Sequence, residues 1–153
     1  MPNGRTHRIA GAVTGGGAAL YRARAQSAPH QLAEAVGGTA GGLFGGMLPD
    51  VFEPALSSWH RSFAHSWTTG LTLTTVTGKL ESWEQSCRTR AEHYRSLRDG
   101  PSIDPMLRVW YWIAEYFWRA AAGFAAGLLT GYLSHLALDA MTPRGLPLIS
   151  ISR

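Results

Sequence analysis

Apolar positions recur with a helical period along most of the chain and divide it into about five helical stretches. The first covers residues 7–26 and the second covers residues 29–47. A proline biases the preceding residue away from the α region, so Leu48-Pro49-Asp50 is predicted to be a turn. We expect a loop through Pro54 to follow this turn.

The second half of the chain has longer helical stretches. Residues 58–78 are apolar and rich in threonine, whereas residues 79–99 are charged and amphipathic, and the two are either separate helices or one bent helix. Residues 106–141 follow Asp104-Pro105, a good helix start, and form one long helix or two in tandem. Alternation with a period of two is confined to residues 71–76. The sequence therefore predicts an all-α fold, a compact helical bundle.

Glycines recur at a spacing of four residues in two of these stretches. On a helix this spacing makes a smooth stripe, and close contact with a second backbone could offset the roughly 1 kcal/mol that each glycine costs in helix propensity. The alternative is a flexible, poorly ordered segment. The pattern favours glycine-striped helix packing, within one chain or in a homo-oligomer, and it comprises Gly37, Gly41 and Gly45, Gly38, Gly42 and Gly46, and Gly123, Gly127 and Gly131.

Composition narrows the class of protein. The 153 residues suit a single domain over residues 1–153, and 45% hydrophobic content with only 16% charged residues excludes a disordered chain. Cys87 is the only cysteine, which excludes a disulfide framework and a cysteine-based zinc ribbon. Any metal site must therefore use histidine and carboxylate ligands.

The net charge of +4 is concentrated near the start, where four arginines occur without an acidic residue in the first 25 positions. Such a segment either contacts anionic lipid or is ordinary surface. A single lysine and dispersed arginines do not form the dense basic face of a nucleic-acid-binding module, so no specific nucleic-acid partner is predicted. Residues 120–138 carry no charge apart from the titratable His135 and are a borderline membrane span, although a buried helix explains them equally well.

The sharpest local motif is His135 followed four residues later by Asp139. At about 100° per residue the two side chains lie within about 40° of each other on one helical face. An imidazole nitrogen and a carboxylate oxygen so placed suit Zn²⁺ or another borderline divalent cation. The alternative is a histidine paired with a carboxylate one turn away, without metal.

A second cluster combines His60, Arg61 and His65 with the preceding acids Asp50 and Glu53. If both histidines are helical they lie about 140° apart, so one helix does not present them to one ion. Either histidine alone is more simply a solvated or core residue. The concentration of titratable groups in a charge-poor chain favours a site.

Among the other histidines, His7 is a further ligand candidate from the first helix. His30 and His93 have no acidic or histidine neighbours that distinguish them from surface residues, and they are predicted to lie on the surface. Cys87 has no histidine nearby, which argues against a catalytic thiol. The sequence also lacks a dinucleotide fingerprint and a phosphate loop.

The order of these motifs resembles that of the LexA-regulated, inner-membrane-associated, predicted metal-dependent hydrolases. More remotely, that family resembles the all-helical zinc phospholipases C and the single-strand-specific zinc nucleases. The resemblance spans nearly the whole chain and rests on Thr6-His7, Leu48-Pro49-Asp50, His60-Arg61, His65-Ser66, and residues 131–139 with Thr142 and Gly145.

The resemblance implies a membrane-associated enzyme at the inner membrane, with membrane lipid as a partner and a phosphoester as substrate. It implies one or two divalent ions, zinc or else manganese. The implied metal ligands are His7, Asp50, His65, His135 and Asp139, and the implied catalytic residues are Glu53, His60 and Arg61. The family commonly has a second aspartate two residues after the first, where this chain has Phe52 and then Glu53.

Two functional hypotheses follow. The first is a hydrolase in which the ion activates water and polarises a phosphoryl oxygen, Glu53 or His60 is the general base and Arg61 neutralises developing negative charge. The second is a non-enzymatic membrane or assembly protein with a structural metal or none. A catalytic ion keeps an open coordination position, whereas a structural ion is closed by four protein ligands.

Overall fold

A computed structural model describes residues 4–52 and 77–141, which are helical apart from short turns. No strand occurs within these two ranges, and the packed helices confirm the predicted all-α bundle. Within these ranges four helices are long and α3 has five residues, whereas the sequence predicts about five helices over the whole chain. The helices are α1 (Gly4–Arg22), α2 (Ala28–Gly45), α3 (Leu48–Phe52), α4 (Thr77–Arg98) and α5 (Pro105–Ala140).

The glycine stripe of α2 packs directly on the backbone of α5. A Cβ atom at Gly37 would overlap the backbone of Ala120, and one at Gly41 would overlap the backbone of Phe124. Because both sets of residue numbers rise together along this contact, α2 and α5 are parallel. The glycines permit a backbone separation that larger residues would prevent, which confirms the predicted glycine-striped packing.

Helix α1 packs on another face of α2, also through glycines. A Cβ atom at Gly11 would overlap Gly42, and one at Gly15 would overlap Gly38. The numbers run in opposite directions, so α1 and α2 are antiparallel. These glycines form helix contacts within one chain. A homo-oligomer that used the same glycines would have to replace these internal contacts with contacts between two chains.

Helix α5 begins at the predicted signal. The Asp104 carboxylate accepts a hydrogen bond from the backbone N–H of Met106 at 2.8 Å, which is the usual role of an N-cap aspartate. The helix then continues unbroken to Ala140, so the single-helix alternative is the correct one. Helix α4 lies antiparallel to it, since Trp83 contacts Phe124 and Tyr94 contacts Tyr111.

Two predicted boundaries are wrong. Helix α1 ends at Arg22 rather than Gln26, because residues 23–26 form turns whose carbonyl groups at Arg24 and Gln26 accept hydrogen bonds from the Gln31 side chain. The predicted turn Leu48-Pro49-Asp50 and the first two residues of the loop expected after it, Val51 and Phe52, instead form α3. Proline is tolerated there because the first turn of a helix does not need its N–H group. Residues 58–76, predicted to be helical, lie outside the described ranges.

The interior combines small apolar side chains with buried charges. The buried hydrophobic residues are mostly alanines of α1, α4 and α5, whereas the largest fully buried side chains include Arg119, His135, Glu34 and Glu115. Burying a charge is costly unless it is paired. The positions of these ions therefore depend on specific partners from neighbouring helices.

An ion network joins α2, α4 and α5. Glu34 of α2 is fully buried and accepts hydrogen bonds from Arg88 of α4 at 2.6 Å and from Arg119 of α5 at 3.3 Å. Arg119 also pairs with Glu92. Glu34 thus lies between two guanidinium groups and links the polar helix α4 to the other two helices.

A second set of contacts extends this network toward the start of α5. Glu115 is fully buried, and its carboxylate oxygens lie 2.7 Å from His30 Nε2 and 2.5 Å from an Arg98 nitrogen. The partners come from α2 and α4, respectively. The buried charges of Glu115 and Arg119 in α5 are therefore paired with groups from both α2 and α4.

The first prediction tests the close helix contact. Gly41→Ala should destabilise the fold by about 1–3 kcal/mol, because its methyl group would overlap the α5 backbone. Gly17→Ala is the matched control, since nothing lies within 4 Å of a Cβ there, and it should stabilise the fold by about 0.5–1 kcal/mol through helix propensity. Thermal unfolding by circular dichroism measures both, and stabilisation by Gly41→Ala would contradict the packing.

The second prediction tests the buried ions. Glu34→Gln should cost roughly 1–3 kcal/mol, because it removes one of two anions from the fully buried Arg119 and from the part-buried Arg88, which keep Glu92 and Glu84 respectively. Glu81→Gln is the control at a half-exposed carboxylate paired with Arg22, where a loss of about 0–1 kcal/mol is expected. Equal unfolding midpoints for the two variants would show that the network does not stabilise the fold.

Candidate metal centre

Two histidines stack at the end of the bundle where α1 begins and α5 ends. The rings of His7 and His135 are 3.7 Å apart between centroids and are inclined by 16°. Both residues are buried. They meet because α1 runs antiparallel to α2, and therefore to α5, so the first turns of α1 lie beside the last turns of α5.

Asp139 lies one turn beyond His135 and faces both rings. Its two carboxylate oxygens are 3.5 Å from His7 Nε2 and 3.7 Å from His135 Nε2. Only 2% of its surface is exposed. The helical spacing that predicts His135 and Asp139 on one face is confirmed, and the same face is the one directed at α1.

Asp50 approaches the same group from α3. Its carboxylate oxygen is 3.8 Å from His135 Nε2, and its side chain is 39% exposed. Gly46 and Met47 form the turn that brings α3 back toward the end of α5. Asp50 therefore supplies a carboxylate at the accessible side of the buried cluster.

The other nitrogen of His135 is held by the backbone. Nδ1 lies 2.7 Å from the carbonyl oxygen of Gly46, and since a carbonyl only accepts, Nδ1 carries the hydrogen and donates it. In the neutral ring this leaves the lone pair on Nε2, directed toward the two aspartates. Metal-binding histidines are commonly oriented by such a second hydrogen bond.

The described residues fit a divalent cation. Ligand atoms of His7, His135 and Asp139 all lie within 4.8 Å of one another. In a tetrahedral zinc site with bonds of about 2.0–2.2 Å, ligand atoms are roughly 3.3–3.6 Å apart. The His7–Asp139 separation of 3.5 Å lies in this range, and the His135–Asp139 separation of 3.7 Å is slightly larger. These separations also exceed a normal hydrogen bond.

The orphaned nitrogen of His7 gives a further test of this fit. His7 Nδ1 is buried and has no hydrogen-bond partner among the described residues. Leaving a buried polar atom unpaired costs about 1–3 kcal/mol. Because Nε2 is the His7 nitrogen that faces Asp139, a cation bound between these two residues would leave the cost at Nδ1 in place, so the fit rests on the donor set.

Four predicted site residues cannot be compared with this geometry. The ligand candidate His65 and the catalytic candidates Glu53, His60 and Arg61 lie outside the described residues. Their assignments stay predictions. The described members of the predicted set, His7, Asp50, His135 and Asp139, come from three helices and lie together.

The prediction that His30 lies on the surface is wrong. His30 is buried and faces Glu115, whose position in the chain gives no local hint of the contact. The signal that could identify the network is the repeated spacing of four residues between ionisable groups in otherwise apolar stretches, His30 with Glu34 and Glu115 with Arg119. His93, by contrast, is exposed as predicted.

Cys87 is not positioned for nucleophilic chemistry. It is buried in α4, and burial raises the pKa of its thiol despite the opposing influence of Arg90. A thiol with a raised pKa is protonated near neutral pH, whereas the thiolate is the nucleophile.

The distribution of side chains differs from that of a typical water-soluble bundle. Five charged residues within the described ranges are buried, whereas large apolar residues such as Val13, Leu32, Trp110 and Phe117 are exposed on three different helices. Helix α5 is also long and apolar enough to cross a membrane, although half of its most apolar window is buried inside the protein. Length and composition alone are weak evidence for a span.

Comparison with protein families supplies the deciding observation, because residues 1–150 match the family described as YdjM inner membrane protein. The chain belongs to the YdjM inner membrane protein family. No curated protein and no solved structure matches it. Membership confirms the predicted inner-membrane association, and it accounts for the apolar exterior of this YdjM-family protein.

The third prediction concerns metal binding. Asp139→Asn keeps the shape of the side chain but removes its negative charge, so the affinity for Zn²⁺ should fall. Loss of an outer-shell partner lowers metal affinity by about 10- to 100-fold, and loss of a ligand should lower it by at least as much. Asp99→Asn is the control, because Asp99 is exposed and pairs with Arg98 on α4. Calorimetric titration of the purified proteins measures the affinities. Equal affinities for the wild type and Asp139→Asn would show that Asp139 is not a ligand.

Proposed function

We propose that this protein is a membrane-associated, metal-dependent hydrolase that acts on a phosphodiester or other phosphoester bond. The observation that carries the proposal is the buried convergence of His7, His135 and Asp139, with Asp50 at its accessible side. Two histidines with carboxylates are a donor set that suits zinc and other borderline divalent cations. The resemblance to metal-dependent hydrolases, and more remotely to zinc phosphodiesterases, supports the reaction class.

One or two divalent ions, zinc or else manganese, belong to the proposal. Such an ion supplies Lewis-acid activation of water and polarisation of a phosphoryl oxygen. His135, fixed by the Gly46 carbonyl, would present Nε2 to it, and Asp139 would offset its charge in the buried site. The partial exposure of Asp50 leaves a side from which a phosphoester can approach.

The remaining roles follow the sequence assignment. His65 completes the proposed ligand set, Glu53 or His60 accepts a proton from the attacking water, and Arg61 neutralises negative charge that develops on the phosphoryl oxygens. Because a guanidinium group stays protonated at any physiological pH, Arg61 can serve this role throughout the active range.

The proposed partners are membrane lipid and a phosphoester substrate, with self-association through the glycine-striped helices as a further proposal. Association with the inner membrane supports this choice, because phosphate-containing lipid headgroups are abundant there. The resemblance also implies LexA control of expression, which we include in the proposal.

The alternative is a non-enzymatic membrane protein in which the same residues hold a structural ion or none. An ion closed by four protein ligands lacks the position at which water and substrate exchange. The two functions therefore differ in whether the metal-loaded protein turns over substrate.

The fourth prediction tests turnover. The zinc- or manganese-loaded protein in detergent should hydrolyse bis-p-nitrophenyl phosphate, and chelation should abolish the activity until metal is restored. Asp139→Asn should reduce kcat/KM by at least about 10²-fold, a loss of about 2.7 kcal/mol in transition-state stabilisation. Release of p-nitrophenol measures the rate.

Asp99→Asn should keep the wild-type rate, since this exposed carboxylate follows the last residue of α4 and pairs there with Arg98. A protein that binds metal stoichiometrically but turns over neither this ester nor a phospholipid would favour the structural-ion alternative. A protein that binds no divalent metal would contradict both metal-dependent hypotheses.

A further inference from the structure

An apolar groove lies on the outside of the bundle, away from the metal centre. It has a volume of about 370 Å³ and is lined wholly by apolar atoms. This volume is within the roughly 300–1,000 Å³ of typical ligand pockets. Its walls come from α2, α4 and α5 and include Val36, Ala40, Trp83, Phe117, Ala121 and Phe124.

The shape of the groove follows from the glycine contact beneath it. Gly37 lets the backbone of α2 meet Ala120 of α5, so the floor consists of backbone and small side chains. Larger aromatic residues stand at the edges. Trp83 contacts Phe124 edge to face, with ring centroids 6.4 Å apart, and Phe44 contacts the same ring at 5.9 Å.

The groove is continuous with the apolar exterior of the protein. Leu32 and Val36 are one turn apart on α2, Ile113 and Phe117 are one turn apart on α5, and all four are at least 48% exposed. Because α2 and α5 are parallel, the two rows flank the groove together. The association of this family with the inner membrane makes hydrocarbon the natural neighbour of such a surface.

The chemistry of the lining identifies the class of occupant. A polar or charged ligand would find no group to bind its polar atoms, and burying them unpaired is costly. The nearby carboxylate of Glu34 is already engaged by Arg88 and Arg119. We propose that the groove binds one acyl chain of a membrane phospholipid. This site is separate from the metal centre and does not depend on hydrolase activity.

The fifth prediction tests this site by photolabelling. The full chain is reconstituted in phosphatidylethanolamine–phosphatidylglycerol vesicles that contain a phospholipid with a diazirine in its acyl chain. After illumination, peptide mass spectrometry should find the label concentrated around Trp83 and residues 117–124. Exposed apolar residues outside the groove, such as Val13 and Met106, should carry less label per unit of exposed area than the groove residues do.

A filled groove provides the matched comparison. Ala40→Phe adds a ring at the groove wall and should reduce groove labelling several-fold, whereas Ala28→Phe adds the same ring to an exposed position of α2 outside the groove and should not. Circular dichroism checks that the helices are retained. If Ala40→Phe does not fold, the wild-type label map decides by itself.

Labelling spread in proportion to exposed apolar area would overturn the proposal, because it would indicate general bilayer contact without a bound chain. Retention of groove labelling in folded Ala40→Phe would overturn it as well. Absence of label from the groove, with label on the exposed apolar residues around it, would also overturn the proposal and would indicate that protein covers the groove.

Discussion

The arrangement of the molecule depends on the absence of side chains along two faces of α2. Gly37 and Gly41 admit the backbone of α5, and Gly42 contacts both Gly11 of α1 and Gly131 of α5. Helix α2 therefore lies between α1 and α5, and its backbone is in direct contact with both. Since α1 runs against α2 and α5 runs with it, the first turns of α1 and the last turns of α5 are brought to the same end. The meeting of His7 with His135 and Asp139 is a consequence of that geometry.

Much of this fold can be predicted from local sequence signals. Neighbouring residues indicate the end of α4, both limits of α5, the Asp104 N-cap and the glycine spacing, and the helical period predicts His135 and Asp139 on one face. The glycine spacing does not specify which helix packs on it or in which direction. The resemblance to a known family brought His7 and Asp50 into the same predicted site, which local periodicity could not do.

The errors arise where a distant contact decides the outcome. His30 is buried because Glu115 lies opposite it, and the Glu34–Arg119 pair spans 85 positions of the chain. Sequence periodicity cannot reveal such pairs, because their two residues lie far apart in the chain. The same contacts explain why the polar helix α4 packs on an apolar one, since its arginines neutralise carboxylates buried in α2 and α5. An apolar exterior around a charged interior suits a protein in contact with lipid.

The parallel pairing of α2 and α5 also determines the order in which the chain can assemble. Helices α1 and α2 are joined by a short turn and can form a hairpin early, because closing a short loop costs little entropy. The hydrogen bond between His135 and Gly46 joins residues 89 positions apart and must await the last helix. His7 therefore meets His135 and Asp139 only after α5 has been synthesised. A chain that stops before Asp139 cannot assemble this cluster, so the proposed metal site forms late in folding.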